Sequence, residues 1–519
     1  MDLPQGAPPE PGAFEASHRL SGANRYFGVP AVVLQPLGPV AQDGAAQGRW
    51  IALVVDMARM LAWPDPQPRA HAADARTWLA FAAPPQQLHT AAAVNEWAWV
   101  AAARMRAQQP PDHPLGPDPV AHFQALAAAE AQAASQAQPA GAAEPPAQPT
   151  LLVTGSHGKS TVKRLLDAVA REAGVAATLL ELPRQELLAQ GLPVQLAQVA
   201  VLTNVSADLR GEGAQQVLDE RAQVFLVAAH ALAGGGALVM SGDDAAVLRV
   251  ALGQAHSTAP SWALFSHSHD TPLLDALRRH GGSTCAPRDG RLVLVTGGVE
   301  QDLGAVADMP LALGGHAAQQ VANLAAVALA ATLAGWPADA LRRVLLRFGA
   351  QHEDNPGVLE RWQHRGATVL VDRARHAASL AALLKLAGAL GARRVGLLLG
   401  QDGRRSDEAI AALAGAAAAF KPDRVLITDV PAEPDETGGR EPGEPGETGG
   451  REPGLVPLLL EQGLRAGGLS ARALRHEHDE EAAARALLAW AKPGDVLLLP
   501  LHTPGLRARL LDRLSPPAG

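Results

Sequence analysis

Cysteine, tyrosine and lysine are scarce in this chain of 519 residues. Cys285 is the sole cysteine, so no intrachain disulfide can form and cysteine-based metal sites are excluded. No apolar run approaches about 18 residues without a charge or a proline, so we expect no membrane span. Lysine is so rare that each remaining lysine carries more information than usual, and Tyr26 is the only tyrosine.

The charge balance is equally restrictive. A net charge of −8 provides no basic surface for nucleic acid or an anionic membrane, so neither is an expected partner. The N-terminal stretch MDLPQGAPPEPG has neither a basic region nor an apolar region of a secretory signal, which predicts a cytoplasmic protein. The hydrophobic share of 47% is typical of a globular protein with sizeable cores.

The length predicts about three domains. Residues 1–125 form a predicted α+β domain, with strands at 31–34 and 51–55 and a helix at 88–106. Its clustered tryptophans favour a packed core over a ligand cage. Residues 126–149 are rich in Ala, Gln and Pro, which predicts an interdomain linker. Domains at 150–354 and 355–519 follow, and both have the alternating strand–helix pattern of a parallel sheet.

The most informative stretch is TLLVTGSHGKSTV at 150–162. A short apolar run predicts a buried strand, a glycine-rich turn follows, and apolar residues at helical spacing come next. A strand, such a turn and a helix N-terminus together bind phosphate, because backbone N–H groups and the helix dipole face the anion. The structural alternative is an ordinary glycine-rich turn. The predicted nucleotide-binding residues of this P-loop are Gly155, Ser156, His157, Gly158, Lys159, Ser160 and Thr161.

Polar residues follow two further predicted strands of the central domain. Glu181 ends a strand at 176–180, and Asn204 and Asp208 follow a strand at 199–203. The carboxyl ends of parallel strands meet at one edge of a sheet, so these side chains are expected beside the phosphates. Ser160 or Thr161, together with Glu181, would then hold the Mg²⁺ that accompanies ATP.

The third domain is predicted to be a smaller Rossmann-like sheet, with strands at 367–371, 394–399, 424–428 and 495–500. The segment ETGGREPG occurs at 436–443 and again at 447–454. We interpret this repeat as a tandem duplication that lengthens a surface loop.

The motifs resemble those of the Mur ligases, and more narrowly the Mur-ligase-like part of cyanophycin synthetase. TGSHGKST is similar to the family's TGTNGKST, and residues 201–208 (VLTNVSAD) are similar to VVTNVSxD. Residues 181–192 resemble ETARGGxLRxGL. The resemblance covers about 150–519, and its remaining motifs stand in the family's order at 242–244, 320–326, 355–357, 403–407 and 439–444. The ATP-grasp domain of that synthetase has no counterpart, because the linker leads straight to the P-loop.

The resemblance implies an ATP-dependent amide ligase. In such an enzyme a substrate carboxylate is phosphorylated, and an amine displaces phosphate from the acyl phosphate. Lys159 and Glu181 would act with Asp372 as catalytic residues. Asn323 would recognise the adenine edge, while Asp372 and the 403–407 loop, with Arg405 and Asp407, would close over ribose and substrate. Closure of the third domain would exclude water and protect the acyl phosphate.

Four positions depart from the family pattern. The family's metal-binding histidine is replaced, since Asp208 is followed by Leu209, and Phe225 stands where a carbamylated lysine is expected. Val358 replaces the arginine of NPGRL, and residues 372–377 (DRARHA) replace DYAHNP. Each lost charge contact to a transferring phosphoryl group typically costs about 3 kcal/mol. ATP binding is therefore better supported than ligation.

Two functions remain open. The first is a working ligase that joins an amino acid or peptide carboxylate to an amine, in the metabolism of a cyanophycin-like Asp/Arg polymer. The second is a catalytically impaired paralogue that binds nucleotide and acts as a scaffold or regulatory subunit of an active synthetase, as a homo-oligomer or in complex with it. An unrelated P-loop ATPase or kinase is disfavoured by the third-domain motifs.

Overall fold

The computed structural model describes residues 12–73, 76–108, 118–136, 148–206, 214–253, 260–430, 451–511 and 514. Within these ranges the strands form three separate sheets, one in each predicted domain. This arrangement confirms the predicted α/β fold class, whereas the domain boundaries themselves stay predictions. No helix in the described ranges is both long enough and apolar enough to span a membrane.

The first sheet is antiparallel, with strand order β1-β2-β4-β3, and α2 packs against it. Together the sheet and its helices have the predicted α+β character. The predicted helix at 88–106 is confirmed, and Trp50, Trp63 and Trp99 are buried in the core as expected. The elements are β1 (Phe14–Leu20), β2 (Ala31–Pro36), α1 (Gly44–Met60), β3 (Arg69–Ala73), β4 (Arg76–Ala82), α2 (Leu88–Arg106) and α3 (Pro119–Gln136).

The predicted strand at 51–55 is wrong, because these residues lie in α1. A run of five apolar residues fits a strand or a helix equally well, and the flanking residues decide between them. Trp50, Val54 and Met57 are buried at helical spacing, and the Asp43 carboxylate accepts hydrogen bonds from backbone N–H groups of the first turn. The N-cap and this spacing together favour the helix.

The predicted linker at 126–149 is wrong for its first part, which belongs to α3. Alanine has the highest helix propensity, so an Ala-rich stretch continues a helix once packing anchors it. Phe123 is fully buried in the first core, and Glu130 accepts hydrogen bonds from the backbone N–H and the hydroxyl of Thr90. Residues 137–147 lie outside the described ranges.

The central sheet has strand order β12-β11-β10-β9-β8-β7-β5-β6. Strands β5 to β10 pair in parallel as predicted, and β11 and β12 add an antiparallel edge. The elements are β5 (Thr150–Thr154), α4 (Lys159–Ala173), β6 (Thr178–Leu182), α5 (Arg184–Gln190), β7 (Ala197–Leu202), α6 (Ala214–Leu226), β8 (Leu232–Ser241), α7 (Ala245–Gly253), β9 (Ser261–Phe265), α8 (Pro272–Arg279), β10 (Ser283–Arg288), β11 (Arg291–Thr296), β12 (Val299–Ala305), α9 (Ala318–Leu333) and α10 (Ala338–Leu345).

The order of this sheet predicts where a ligand crevice lies. Strand β5 lies between β6 and β7, so the chain leaves β5 toward one side and later continues on the other. Loops diverge at such a switch point and leave a crevice outside the carboxyl end of the strand. The P-loop follows β5 directly, so it lies in this crevice.

The third sheet has strand order β13-β14-β18-β15-β16-β17 and is parallel except for β13. The last strand is inserted between β14 and β15, so the ends of β14 and β18 are adjacent. The repeated segment lies mostly at 431–450, outside the described ranges. The elements are β13 (Glu360–His364), β14 (Ala367–Asp372), α11 (Ala377–Ala389), β15 (Val395–Asp402), α12 (Asp407–Phe420), β16 (Arg424–Val430), α13 (Leu455–Ala466), β17 (Leu474–His476), α14 (Glu480–Trp490), β18 (Val496–Pro500) and α15 (Leu506–Leu511).

The segment after β1 is attached to the end of α5 by backbone hydrogen bonds. The N–H of Ser21 donates to the carbonyl of Gln190 at 2.9 Å, and the N–H of Leu192 donates to that of Ala23 at 2.8 Å. Both contacts lie at the end of α5, the helix that follows Glu181. The N-terminal unit therefore fixes the C-terminal end of that helix.

Candidate active site

The P-loop requires glycine at two positions. Gly155 has φ +127° and Gly158 has φ +85°, conformations that L side chains rarely adopt. A Cβ atom at residue 155 would lie 2.2 Å from Thr203 Oγ1, and one at residue 158 would lie 2.6 Å from Asn323 Oδ1. The loop is therefore packed tightly on the segment after β7 and on helix α9.

Asn204 braces the loop from the end of β7. Its carbonyl accepts the N–H of Ser156 at 2.9 Å, and its side chain exchanges hydrogen bonds of 3.1 Å with the N–H and carbonyl of His157. These two loop N–H groups are thus engaged by Asn204, whereas the sequence predicted that loop N–H groups would face the anion. The N–H groups of the first turn of α4 have no intrahelical acceptor and can bind an anion.

Lys159 is the only lysine within this loop. Its Nζ donates to the carbonyls of Gly155 at 2.8 Å and Ser156 at 3.3 Å, so the ammonium lies over the loop. Burial lowers the pKa of Lys159, and the Glu181 carboxylate opposes that shift. A nearby anion favours the charged ammonium further.

Ser160 and Glu181 form the predicted oxygen pair. Ser160 Oγ lies 3.0 Å from Oε1 and 2.9 Å from Oε2 of Glu181, and Ser160 is exposed. A hydroxyl and a carboxylate are oxygen ligands of the kind Mg²⁺ prefers, and phosphates and water complete its shell. These residues therefore fit the ion. In the described ranges no group of three or more His, Cys, Asp or Glu side chains could hold a metal by itself.

Thr161, the other predicted magnesium ligand, faces the opposite way. It is buried, and its Oγ1 lies 3.2 Å from Oδ1 of Asn355, which also accepts from Arg164 at 3.2 Å. The two hydroxyls of the first turn of α4 therefore point to different partners. Ser160 faces the crevice, and Thr161 joins the helix to the start of the third unit.

Asn323, predicted to recognise adenine, is only 2% exposed. Its Nδ2 donates to Gln320 Oε1 at 3.0 Å, and its carboxamide packs on Gly158. In this structure the side chain supports the P-loop from below. The contact with an adenine stays a prediction.

The third unit meets the P-loop at His376, the N-cap residue of α11. Its ring centroid lies 5.3 Å from that of His157. Asp372, at the end of β14, accepts the N–H of Leu359 at 2.9 Å. Burial raises the pKa of Asp372 to about 6, although backbone N–H groups and His502 oppose the shift. Asp372 thus holds the connector, the segment 355–359 that leads into β13. Its predicted contact with ribose stays a prediction.

Arg405 and Asp407 lie in a separate cluster around Arg451. The Arg451 guanidinium donates to the carbonyls of Gly403 and Arg405, and to Asp407 Oδ1 at 2.8 Å. Arg451 belongs to the second copy of the repeated segment at 447–454, whereas the motif predicted at 439–444 lies in the first copy. The two copies have the same sequence, so the sequence does not show which copy contacts residues 403–407.

Arg221 on α6 contacts the segment that is bonded to the P-loop, a contact that the sequence does not predict. Its Nη1 donates to the carbonyl of Ser206 at 2.8 Å, and Ser206 is bonded to the P-loop by its N–H and its hydroxyl. No motif marks this arginine, so only the tertiary structure reveals it. Phe225, one turn later, is buried in the core. Asp208 lies outside the described ranges.

Part of the third unit is similar to a known protein family. Residues 359–500 match the family model described as Mur ligase, glutamate ligase domain. This segment is similar to the C-terminal domain of Mur ligases. The resemblance to Mur ligases predicted from the motifs is therefore confirmed.

Curated relatives extend the resemblance beyond this segment. The chain is 27% identical to cyanophycin synthetase of Trichormus variabilis over 334 residues, which cover 56% of this chain and 36% of the relative. Cyanophycin synthetase of Synechocystis sp. is 26% identical over 328 residues, covering 56% and 37%. The chain thus spans little more than a third of the length of these relatives.

Solved structures with a similar fold include MurF from Acinetobacter baumannii, with a TM-score of 0.46 and 13% identity over 70% of this chain and 77% of that one. Folylpolyglutamate synthase from Thermotoga maritima has a TM-score of 0.43 and 12% identity, covering 68% and 86%.

Proposed function

We propose that this protein is an ATP-dependent amide ligase of the Mur ligase type. The observation that carries the proposal is the convergence of three groups at the carboxyl end of β5 and β6. The Lys159 ammonium, the Ser160 hydroxyl and the Glu181 carboxylate all lie at the start of α4, where a triphosphate and one Mg²⁺ would bind.

Each residue has a separate task in this proposal. Lys159 neutralises the β- and γ-phosphates, and Ser160 and Glu181 hold the ion. ATP supplies the phosphoryl group that converts the substrate carboxylate into an acyl phosphate. Asp372 orders the connector into the third sheet, so that closure of this unit excludes water from the reacting groups.

The substrate class follows from the relatives that the chain resembles. Cyanophycin synthetases are the curated proteins it matches over 56% of its length. We therefore propose that the carboxylate and the amine come from amino acids or peptides that contain aspartate and arginine.

Specific substitutions favour a second candidate, an impaired paralogue that binds nucleotide and regulates an active synthetase. Phe225 is buried and Val358 is apolar, so neither can ligate a metal or contact a phosphate. Losing each such contact to a phosphoryl group typically costs about 3 kcal/mol, or 10²–10³ in rate. This candidate keeps ATP binding and loses turnover.

Calorimetric titration with Mg²⁺–ATP tests the site shared by both candidates. Lys159→Ala should weaken ATP binding by about 100-fold, because a charged hydrogen-bond donor to phosphate is lost. Lys163→Ala is the matched control, since Lys163 stands one turn later in α4 and pairs with Asp167 at 3.2 Å. Absence of ATP binding by the native protein would refute both candidates.

Phosphate release then separates the two. The protein is incubated with ATP and, in turn, aspartate, arginine, the β-Asp-Arg dipeptide and short Asp polymers. Stoichiometric phosphate and amide product support the ligase. ATP binding without phosphate release in every mixture supports the paralogue.

A further inference from the structure

We propose that Arg221 is a second phosphate-binding cation of this site, which contacts the terminal phosphoryl group of ATP. This inference rests on the proposed ATP binding and adds a residue to it. It arises from a chain of hydrogen bonds that connects helix α6 to the P-loop across the segment after β7.

The chain begins at the loop itself. Ser156 Oγ accepts the N–H of Ser206 at 3.0 Å, and the Ser206 hydroxyl lies 2.9 Å from His157 Nε2. Ser206 is therefore held against two consecutive P-loop residues. Arg221 Nη1 donates to the carbonyl of the same serine at 2.8 Å. Ser206 therefore connects the guanidinium to the loop.

The position of Arg221 is rigid. Ala222, Val224 and Phe225 on the same helix are at most 2% exposed, so α6 is anchored in the core beneath the central sheet. From the other side, Asp244 accepts the N–H of Val205 at 2.7 Å and fixes the segment that Arg221 grips. Arg221 itself is half-buried, so its side chain is partly accessible to solvent on this anchored helix.

The charge balance of the crevice gives this arginine a task. Lys159 is one cationic group, and part of its effect is offset by the Glu181 carboxylate. A triphosphate carries about four negative charges, of which the proposed Mg²⁺ offsets about two. Two of the loop N–H groups are already bonded to Asn204. A guanidinium offers several donors in a plane and does not lose its charge, so it suits a terminal phosphate.

The test compares ATP with ADP, because a brace that merely shapes the loop would affect both nucleotides equally. Calorimetry with each nucleotide and Mg²⁺ is performed on the native protein, Arg221→Gln and Arg221→Lys. We expect Arg221→Gln to weaken ATP binding by about 10- to 100-fold and ADP binding by less than about 3-fold. Arg221→Lys should recover part of the loss.

Arg249→Ala is the matched control. Arg249 is exposed and also bonds α6, through Asp219 at 2.7 Å, but no P-loop residue. Its removal should leave both affinities unchanged. Equal weakening of ATP and ADP in Arg221→Gln, or no change in either, would overturn the inference while leaving the ATP site intact. The proposed function fails by a different result, the absence of ATP binding in the native protein.

Discussion

Asp372→Asn should change how stability depends on pH. Burial raises the pKa of this carboxyl from its ordinary 3.8 to about 6, so the folded protein binds the Asp372 proton more tightly than the unfolded chain does. The group therefore favours folding at low pH and loses that contribution as the pH rises through about 4 to 6.

The size of the rise in the pKa of Asp372 sets the expected change in the free energy of unfolding. About two pKa units correspond to a ceiling of about 3 kcal/mol, of which about 2 kcal/mol falls between pH 4 and pH 7. The amide introduced by Asp372→Asn does not titrate, so the free energy of unfolding of the variant minus that of the native protein should rise by about 2 kcal/mol across this interval. Because titrations elsewhere are common to both proteins, they cancel in the difference.

Urea denaturation at pH 4, 5, 6 and 7 measures this difference. Unfolding is followed by tryptophan fluorescence, to which Trp362 and Trp490 of the third unit contribute. Asp495→Asn is the control. Burial alone would raise the pKa of Asp495, but hydrogen bonds from Arg394 and from the N–H of Lys492 lower it overall. Its difference should therefore change by less than about 0.5 kcal/mol above pH 4. A flat profile for Asp372→Asn would refute the reasoning.

Three further variants test other parts of the structure. Gly158→Ala should destabilise the protein by about 1–2 kcal/mol and abolish ATP binding, because φ +85° and the contact with Asn323 exclude a Cβ atom; native-like melting and calorimetry would contradict this. Ser160→Ala should weaken ATP binding about 10-fold in Mg²⁺ and hardly at all in EDTA, since the exposed hydroxyl is a proposed ligand; equal effects in both buffers would remove that role. Glu480→Ala should cost about 3–5 kcal/mol in urea denaturation, because the buried carboxylate accepts hydrogen bonds from the backbone N–H and from Nδ1 of His502; a cost below about 1 kcal/mol would show that the pair is not important for stability.

Local patterns predicted much of the fold. The apolar strand, the glycine turn and the helix that follows were all recognised at 150–173, because each has its own periodicity. The wrong predictions concern stretches whose residues suit two kinds of local structure. The run at 51–55 suits a strand or a helix, and the Ala-rich stretch at 126–136 is ordered because Phe123 and Glu130 attach it to the first core.

The sequence predicted only those residues of the candidate site that belong to motifs. Lys159, Ser160 and Glu181 belong to motifs, so their types and spacing pointed to their places. Arg221 belongs to no motif, and its proximity to the P-loop depends on how α6 packs on the central sheet.

The sequence by itself determined that a glycine-rich turn and a helix follow a buried strand, because these local structures depend on neighbouring residues. It also determined the class of the sheets, since alternation of strand and helix patterns requires parallel pairing. Only the tertiary structure decided that Ser160 faces Glu181 whereas Thr161 faces Asn355. The order of the strands and the packing of distant helices set these contacts, and neither is encoded in any short stretch of residues.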